Sequence, residues 1–492
     1  MFSRLIHRRF LAQVALTPGK PAIRERDRET SFEDLARAAR RVAGALQLRA
    51  LRAGSRVAIA TSGHRELLSG ILGVVGSGHI YMALDLAQSD VRLLAQLGAS
   101  RPVVAIVDDE GRRRLQEIAP GISVLALGDE EGALDAADPD APCSIYFTSG
   151  STGAPRAILG RLSGIDHHVA WEIEALSIDR AVRGAIVHAP SYDAYLPDVL
   201  VPLCAGGIAI APPDRGVLAD AHRFATWLLA AEITLLHCTP SYFRVLLEAN
   251  AARDLRALVH VVLAGEVVRP IDIERARDVL GDKVALWNLY GPSEATLVKL
   301  HHRITEDDAR AERVPIGRPM PGVTVHVLDA ADTPGRDDEV GQIAIQSAFA
   351  SHGYLDEPDV TAARFRPVGG ETMYLTGDYG RRRPDGAFEF HGRRDRQLKL
   401  LGARIDLDEI EAIVLACEGV TEAAAITDRG ATAVFVFVTT NGVSIGEIRA
   451  RAMARLSPAM RVAKISASSE LPRTASGKID RVELVRRVEA VA

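Results

Sequence analysis

Up to about residue 340 the chain alternates short apolar, β-branched runs with longer stretches whose apolar residues recur at helical spacing. Residues 56–60, 103–107, 185–188, 233–236, 260–263 and 284–287 read as buried strands. Between them, residues 33–48 read as an amphipathic helix that Ser31 caps, with Asp34 at the reciprocal position. Strands that are apolar throughout must be covered twice, so this alternation predicts parallel sheets with helices on both faces. From 323 to 346 the turns come closer together and the runs shorten, which predicts a small antiparallel or barrel-like subdomain. The charge-dense run Arg393-Arg-Asp-Arg396 then interrupts two strand-like segments. Beyond it, Asp406 stands as the cap of a helix over 407–416, followed by strands near 423–426 and 433–438 and a helix over 445–456. The expected fold class is α/β. A large layered N-terminal domain over 1–392, with parallel sheets flanked by helices plus the small barrel-like subdomain, precedes a smaller α+β domain over 393–492.

Composition narrows the function classes. At 492 residues the chain is too long for one simple core, and 47% hydrophobic with 25% charged residues is globular rather than disordered. A net charge of −5 opposes a general nucleic-acid surface. The longest apolar runs, such as 201–211, contain glycine and fall short of a membrane span, so neither nucleic acid nor membrane is an expected partner. Cys143, Cys204, Cys238 and Cys417 show no Cys-x-x-Cys spacing, which suits a reducing, cytoplasmic setting. The doublets His167-His168 and His301-His302 lack a matching acid or cysteine pattern, so packing or surface roles are expected of them rather than a structural metal. Arg381-Arg-Arg383 reads as a solvated turn. The N-terminal residues give an amphipathic helix without an unbroken apolar segment, which is no export signal.

The most informative segment is Tyr146-Phe-Thr-Ser-Gly-Ser-Thr-Gly-Ala-Pro-Arg156, where hydroxyls and glycines follow an apolar strand. A loop of that composition aims backbone N–H groups and hydroxyls at a polyphosphate, although no Gly-Lys-Ser/Thr closes it. Taken alone, such a loop reads first as a solvated strand-to-strand turn. Further along stand Asn288-Leu-Tyr-Gly-Pro-Ser-Glu294, Tyr374-Leu-Thr-Gly-Asp378, Gly392-Arg-Arg-Asp-Arg-Gln-Leu-Lys399 with Gly402-Ala-Arg404, and Ser476-Gly-Lys-Ile-Asp-Arg481. In this order and at these separations the segments resemble the motifs of the adenylate-forming superfamily, most closely the amino-acid adenylation domains of nonribosomal peptide synthetases. The resemblance covers nearly the whole chain.

That resemblance implies ATP and Mg²⁺ as cofactors. Thr148, Ser149, Gly150, Ser151, Thr152 and Gly153 would hold the β- and γ-phosphates, and Glu294 would position the metal. Tyr290 would stack on adenine, with Asn288, Gly291, Ser293 and the backbone of Ala264, Gly265 and Glu266 around the nucleotide. Asp378 would accept from both ribose hydroxyls and Arg393 would add a contact nearby. Lys478 would bridge the substrate carboxylate and the α-phosphate, where charge develops. In a second half-reaction the C-terminal domain, mobile about Asp395, would bring Lys399 and the 402–404 turn to a thioester-forming arrangement with a phosphopantetheine thiol. No Gly-Gly-x-Ser-like attachment serine follows Arg481, so the expected acceptor is a carrier protein in trans.

The segment Ser191-Tyr-Asp-Ala-Tyr-Leu-Pro-Asp198 corresponds to the stretch in which an aspartate, here Asp193, grips the substrate α-ammonium. The blander expectation is that Asp193 caps a helix starting near Ala194. The resemblance gives Ala194, Pro197, His237, Val262, Ala264, Leu289, Leu297 and Val298 as the side-chain lining. Apart from His237 that lining is apolar and uncharged, so a neutral amino acid is expected, with serine one candidate beside alanine, proline, threonine or a modified residue. His237 reads equally as a core histidine bonded to backbone. The sequence departs from the family at Arg156 and Ala157, where lysine and glycine are usual, at 346–353 and at Tyr81-Met-Ala-Leu-Asp85. The rival expectations are an acyl- or aryl-CoA ligase and a non-catalytic ATP-binding or partner-docking module. The second implies damage at Asp378, Glu294 or Lys478, and all three are present.

Overall fold

Three neighbouring parallel strands, Leu235–Cys238, His260–Ala264 and Ala285–Tyr290, form the centre of a nine-stranded sheet. The computed structural model in which they are seen describes residues 6–148, 155–329, 331–336, 338–393, 397–400, 403–428, 432–456, 462–473 and 479–489. On one side the sheet continues through the antiparallel Leu300–Arg303 and Arg318–Pro319. On the other it runs through Arg183–Ala185, Ile208–Ile210, Pro21–Glu25 and Arg28–Ser31. The expected helical cover on both faces is present. Side chains alternate across a strand, so Leu235, Val262, Trp287 and Leu289 pack toward the core that includes Leu162, Ile165, Tyr195 and Leu196. Leu236, Cys238, Val261, Leu263 and Leu286 face the opposite core, which holds Phe224, Phe243 and Ile273.

A second sheet of five strands has the order Val104–Val107, Arg56–Ala60, Ile80–Ala83, Pro142–Thr148, Arg156–Arg161. Ser31 accepts from Asp34 N at the start of the helix Phe32–Leu48, and the Ser31 hydroxyl donates to the Asp34 carboxylate at 2.7 Å. That helix buries Phe32, Leu35 and Leu46 completely, and each such side chain contributes about 1.5–3 kcal/mol. Antiparallel strands Val323–Leu328, Gly341–Ser347, Glu371–Arg382, Phe365–Val368 and Phe388–Arg393 make the curled third sheet expected after residue 323. Toward the C-terminus, Val420–Thr427, Val434–Thr440 and Val462–Ala467 form a three-stranded sheet with helices Leu407–Leu415, Ile445–Arg455 and Arg481–Glu489. Asp406 caps the first of these helices through Asp408 N.

The chain divides into two compact units. One is Met1–Leu86, Ser100–Tyr146 and Ala157–Gly392; the other is Ala87–Ala99, Phe147–Arg156 and Arg393–Ala492. Among the described residues no helix is long and apolar enough to cross a membrane.

Three local expectations need correction. The strand expected at 185–188 is Arg183–Ala185, because Val187 N and His188 N leave the ladder and donate to the Asp198 carboxylate at 2.8 and 2.9 Å. The strand expected at 233–236 is Leu235–Cys238, since Ile233 N is used to close the preceding helix on Leu228 O. Arg381 and Arg382 lie on the strand Glu371–Arg382 rather than on a turn, and Arg381 and Arg383 both pair with the buried Glu389.

Candidate functional site

Motif residues collect at the C-terminal ends of the three central parallel strands, where open α/β sheets place their ligands. His260–Ala264 runs into Gly265, whose φ of +88° is a left-handed conformation that a side chain would strain. Next, the Glu266 carboxylate accepts from Ser241 N at 3.0 Å and Ser241 Oγ at 2.6 Å. Ala285–Tyr290 runs into Gly291, and a Cβ there would lie 2.4 Å from Val298 Cα. Glycine is required because the chain doubles back at this point, with Lys299 N donating to Tyr290 O.

The same run places three polar groups. Tyr290 OH donates to Asp378 Oδ2, and Asp378 N donates to Thr376 Oγ1 at 3.0 Å. Asn288 is buried with its side-chain amide on Pro315 O at 2.7 Å. Glu294 is fully buried, and Tyr354 OH donates to its Oε1 at 2.9 Å. Among the described residues no group of three or more His, Cys, Asp or Glu side chains is arranged to hold a metal ion. A single hard carboxylate such as Glu294 fits Mg²⁺, which takes one or two protein carboxylates and completes its shell with phosphate oxygens and water.

Beside these groups lies the expected substrate segment. The helix Tyr195–Ala205 begins with Ala194 at its N-cap and no side-chain capping bond, so Asp193 is not the cap. Instead Asp193 meets Ser293 and Leu297, with Tyr146, Ile165 and Thr296, around a cavity of about 10 Å³. That is room for about one water or one ammonium group. Leu297 and Val298 follow Thr296, and Thr296 and Leu297 both have left-handed backbones, with φ of +57° and +64°. Lys299 braces this turn: it is fully buried and its Nζ donates to Thr296 O and Val298 O. Burial pulls the Lys299 amine down to about 7, and Asp193 is the negative charge that opposes the fall.

Ala264 and Leu289 are in register on neighbouring strands, and one layer deeper His237, Val262 and Trp287 form the next row on the same face. His237 is buried but does not bond to backbone. Its Nε2 bonds to Glu172 Oε1 of the helix Leu162–Ala175, and its Nδ1 lies 3.4 Å from Asp198 Oδ1 of Tyr195–Ala205, within ion-pair distance but misaligned for a hydrogen bond. Burial alone would lower the imidazole, but the two carboxylates override it and raise it to about 10. Burial likewise pushes Glu172 and Asp198 up, and their histidine partners reverse this, holding both at about 2. The cluster is an imidazolium between two carboxylates, extended by His168 Nε2 at 3.0 Å from Glu172 and His188 Nδ1 at 3.1 Å from Asp198.

The structure therefore brings together Asp193, Ala194, Pro197, His237, Val262, Ala264, Leu289, Leu297 and Val298 with Gly265, Glu266, Asn288, Tyr290, Gly291, Ser293, Glu294 and Asp378 in one compact unit. Thr148 is buried and Arg393 half-buried, both in the other unit, where Lys399 sits on the strand Gln397–Leu400 opposite Arg404. Ser149, Gly150, Ser151, Thr152, Gly153, Asp395 and Lys478 lie outside the described residues. Sequence reasoning missed Glu172, Asp198 as a partner of His237, Lys299 and Tyr354. Only Glu172 carried a signal, as the i+4 neighbour of His168 on one helix face.

Known proteins resemble this chain over most of its length. A family profile described as AMP-binding enzyme matches residues 10–355, and one described as AMP-binding enzyme C-terminal domain matches 409–478. Novobiocin biosynthesis protein H of Streptomyces niveus is 30% identical, over 96% of this chain and 81% of that protein. Tyrocidine synthase 3 of Brevibacillus parabrevis is 28% identical over 98% of this chain, and malpinin synthetase of Mortierella alpina is 30% identical over 86%. The chain spans only 8% and 6% of those two proteins. Among solved structures, the Vibrio cholerae adenylation domain AlmE in complex with glycyl-adenosine-5'-phosphate shares the fold at a TM-score of 0.88 and 19% identity, covering 99% of this chain and 98% of that one.

Proposed function

The chain belongs to the AMP-binding enzyme family of adenylate-forming ligases, and from that premise we propose that it activates a neutral α-amino acid with ATP and passes it to a carrier protein. A substrate carboxylate oxygen attacks the α-phosphorus, the bond to the β-phosphate oxygen breaks, and pyrophosphate leaves an aminoacyl adenylate. A phosphopantetheine thiol, on a separate carrier protein, then attacks the carbonyl, loses its proton, and AMP departs.

The observation that carries this reading is Asp193. It is not a helix cap, and it shares an ammonium-sized cavity with Ser293 of the nucleotide loop. An amine paired there presents its own carboxylate toward the strand-end loops, where a nucleotide would lie along Gly265, Tyr290 and Asp378. An aryl or fatty acid has no cation to offer this carboxylate. A neutral side chain fits the rest of the lining, because the carboxylates behind it are already engaged inside the protein, Glu172 by His237 and His168 and Asp198 by His237 and His188. A further unpaired charge would be desolvated without a partner.

The remaining roles follow the same assignment. Residues 1–392 take nucleotide and amino acid, and residues 393–492 carry Lys478. Asp378, which already accepts from Tyr290, is suited to accept ribose hydroxyls. Glu294 would hold Mg²⁺, which when bound offsets charge on the phosphates. Lys478 would neutralise the crowded oxygens at the α-phosphorus, while Lys399 and Asp395 would serve the thioester-forming arrangement. Amino-acid-dependent exchange of labelled pyrophosphate into ATP, across a panel of amino acids and free aryl and fatty acids, tests the reading. Exchange with one or a few neutral amino acids is expected; exchange with the aryl or fatty acids alone refutes it.

A further inference from the structure

We infer that Glu172 and Asp198 are positioning residues for amino-acid selection: by gripping the His237 ring from two helices they fix the depth of the side-chain pocket. This rests on the amino-acid-activating reading above and adds to it residues outside the pocket lining.

The geometry has three parts. First, the proposed lining makes His237 the floor. It stands in register with Val262, two residues deeper along the strands than the Ala264 and Leu289 row, or about 6–7 Å further from the strand ends. Second, the ring cannot turn or sink. Glu172 holds Nε2 from the helix Leu162–Ala175, and Asp198 faces Nδ1 from the helix Tyr195–Ala205. Asp198 is itself fixed by Val187 N, His188 N and His188 Nδ1. The same row holds Trp287, whose ring lies edge-on to Trp171 at 6.5 Å, and Trp171 in turn packs on His301 at 4.8 Å. Third, with both nitrogens facing carboxylates, the ring offers a substrate only its carbon edge. It acts as a stop and not as a hydrogen-bond partner. A histidine left to itself would swing between rotamers, tautomers and charge states, and the pocket would have several depths.

An apolar trio of the same volume would fill this space with less desolvation. What the ionic trio adds is a single ring orientation. The groups facing His237 are Glu172 and His168 from one helix, Asp198 from the other, His188 after the strand Arg183–Ala185, and His260 on the adjacent strand, with Lys299 acting on His168. Because the two carboxylates keep His237 protonated up to about 10, the floor keeps one charge state across the neutral range. In Glu172→Gln the strongest raising influence is gone and burial lowers the imidazole, so the floor titrates nearer neutrality.

The test is pyrophosphate exchange with neutral amino acids of increasing side-chain length, at saturating ATP, for wild type, Glu172→Gln and Asp198→Asn. For the variants the KM of the preferred amino acid is expected to rise about tenfold, the scale at which hydrophobic pockets resolve one methylene, with longer side chains gaining relative to it. The KM for ATP stays within about twofold, as for loss of an interaction confined to the side-chain pocket. The Glu172→Gln ranking also shifts between pH 6.5 and 9. An unchanged ranking with kcat and thermal stability falling together overturns the proposal, because a purely structural cluster behaves that way. If the variants do not fold, wild type alone decides: its ranking must be the same from pH 6.5 to 9, and a ranking that titrates overturns the clamp. Wild type that exchanges with aryl or fatty acids alone overturns the amino-acid reading and the clamp with it, an outcome distinct from a wild type that selects amino acids with an unclamped floor.

Discussion

The rim and the floor of this pocket are built in opposite ways. At the rim, Gly265, Gly291 and Glu294 follow strand ends, Tyr290 closes a strand and Asp378 stands inside the strand Glu371–Arg382 where its register shifts, and their shape is dictated by backbone: a left-handed glycine, a chain doubling back, a carboxylate at a strand irregularity. At the floor, Glu172, Asp198 and His237 come from two helices and a strand, with Glu172 standing 65 positions before its histidine. In the proposed function the rim would present polar groups to a ligand, whereas the floor consumes its own. Chemistry that depends on backbone shape leaves a contiguous motif, and chemistry that depends on charges meeting across a core leaves isolated residues.

That difference predicts separable failures. The largest is expected at the reacting centre: Lys478→Ala should lower adenylate formation by about 10²–10³, the usual loss for one electrostatic stabiliser, while leaving thiol transfer from supplied adenylate intact. Stopped assays of each half-reaction check it, and equal loss in both would remove the assignment. Of the same order, since 10²–10³ corresponds to about 2.7–4 kcal/mol, is Asp198→Ala, which strips a buried charge cluster of one partner and should cost about 3–5 kcal/mol in denaturant unfolding. Asp378→Ala at the rim should cost less, about 1.5–3 kcal/mol for a hydrogen bond to a charged group, and should raise the KM for ATP. The reverse order would erase the distinction between rim and floor.

A smaller effect separates the two buried cations by pH. His237 is raised above its ordinary value, so its contribution is complete below pH 6.5 and is lost as pH climbs toward about 10. Lys299 is depressed, so the unfolded chain binds more protons between about 7 and 10.5, and its cost to stability is relieved as pH rises through that window. The two slopes oppose each other. Lys299→Met removes the rising one, and urea unfolding from pH 7 to 10 should then fall more steeply than in wild type; a parallel curve would show that the amine is not desolvated.

The sequence carried most of the fold because local rules were in force there. Ser31 and Asp406 cap their helices where expected, through Asp34 N and Asp408 N, and the runs at 56–60 and 260–263 are strands because nothing competes for their backbone. Where a distant side chain competes, pattern reading slips: the Asp198 carboxylate takes Val187 N and His188 N out of the sheet and shifts the strand toward Arg183. Asp193 looks like a cap from composition alone, yet Ala194 occupies that position. His237 had two expected roles, lining or core histidine on backbone, and its actual carboxylate partners lie in helices that no motif joins to it. Lys299 gave no sign at all, since a lysine after an apolar pair reads as a surface charge until the turn folds over it.

The account depends on Asp193 reading an ammonium. The direct measurement is pyrophosphate exchange with the preferred amino acid and with its des-amino analogue, in wild type and in Asp193→Ala. Wild type should favour the amino acid by about 10²-fold or more, the discrimination expected of a site that recognises a polar group against an analogue lacking it, and the variant should lose that preference. Wild type that uses both acids equally well, or a variant that keeps the full preference, contradicts it.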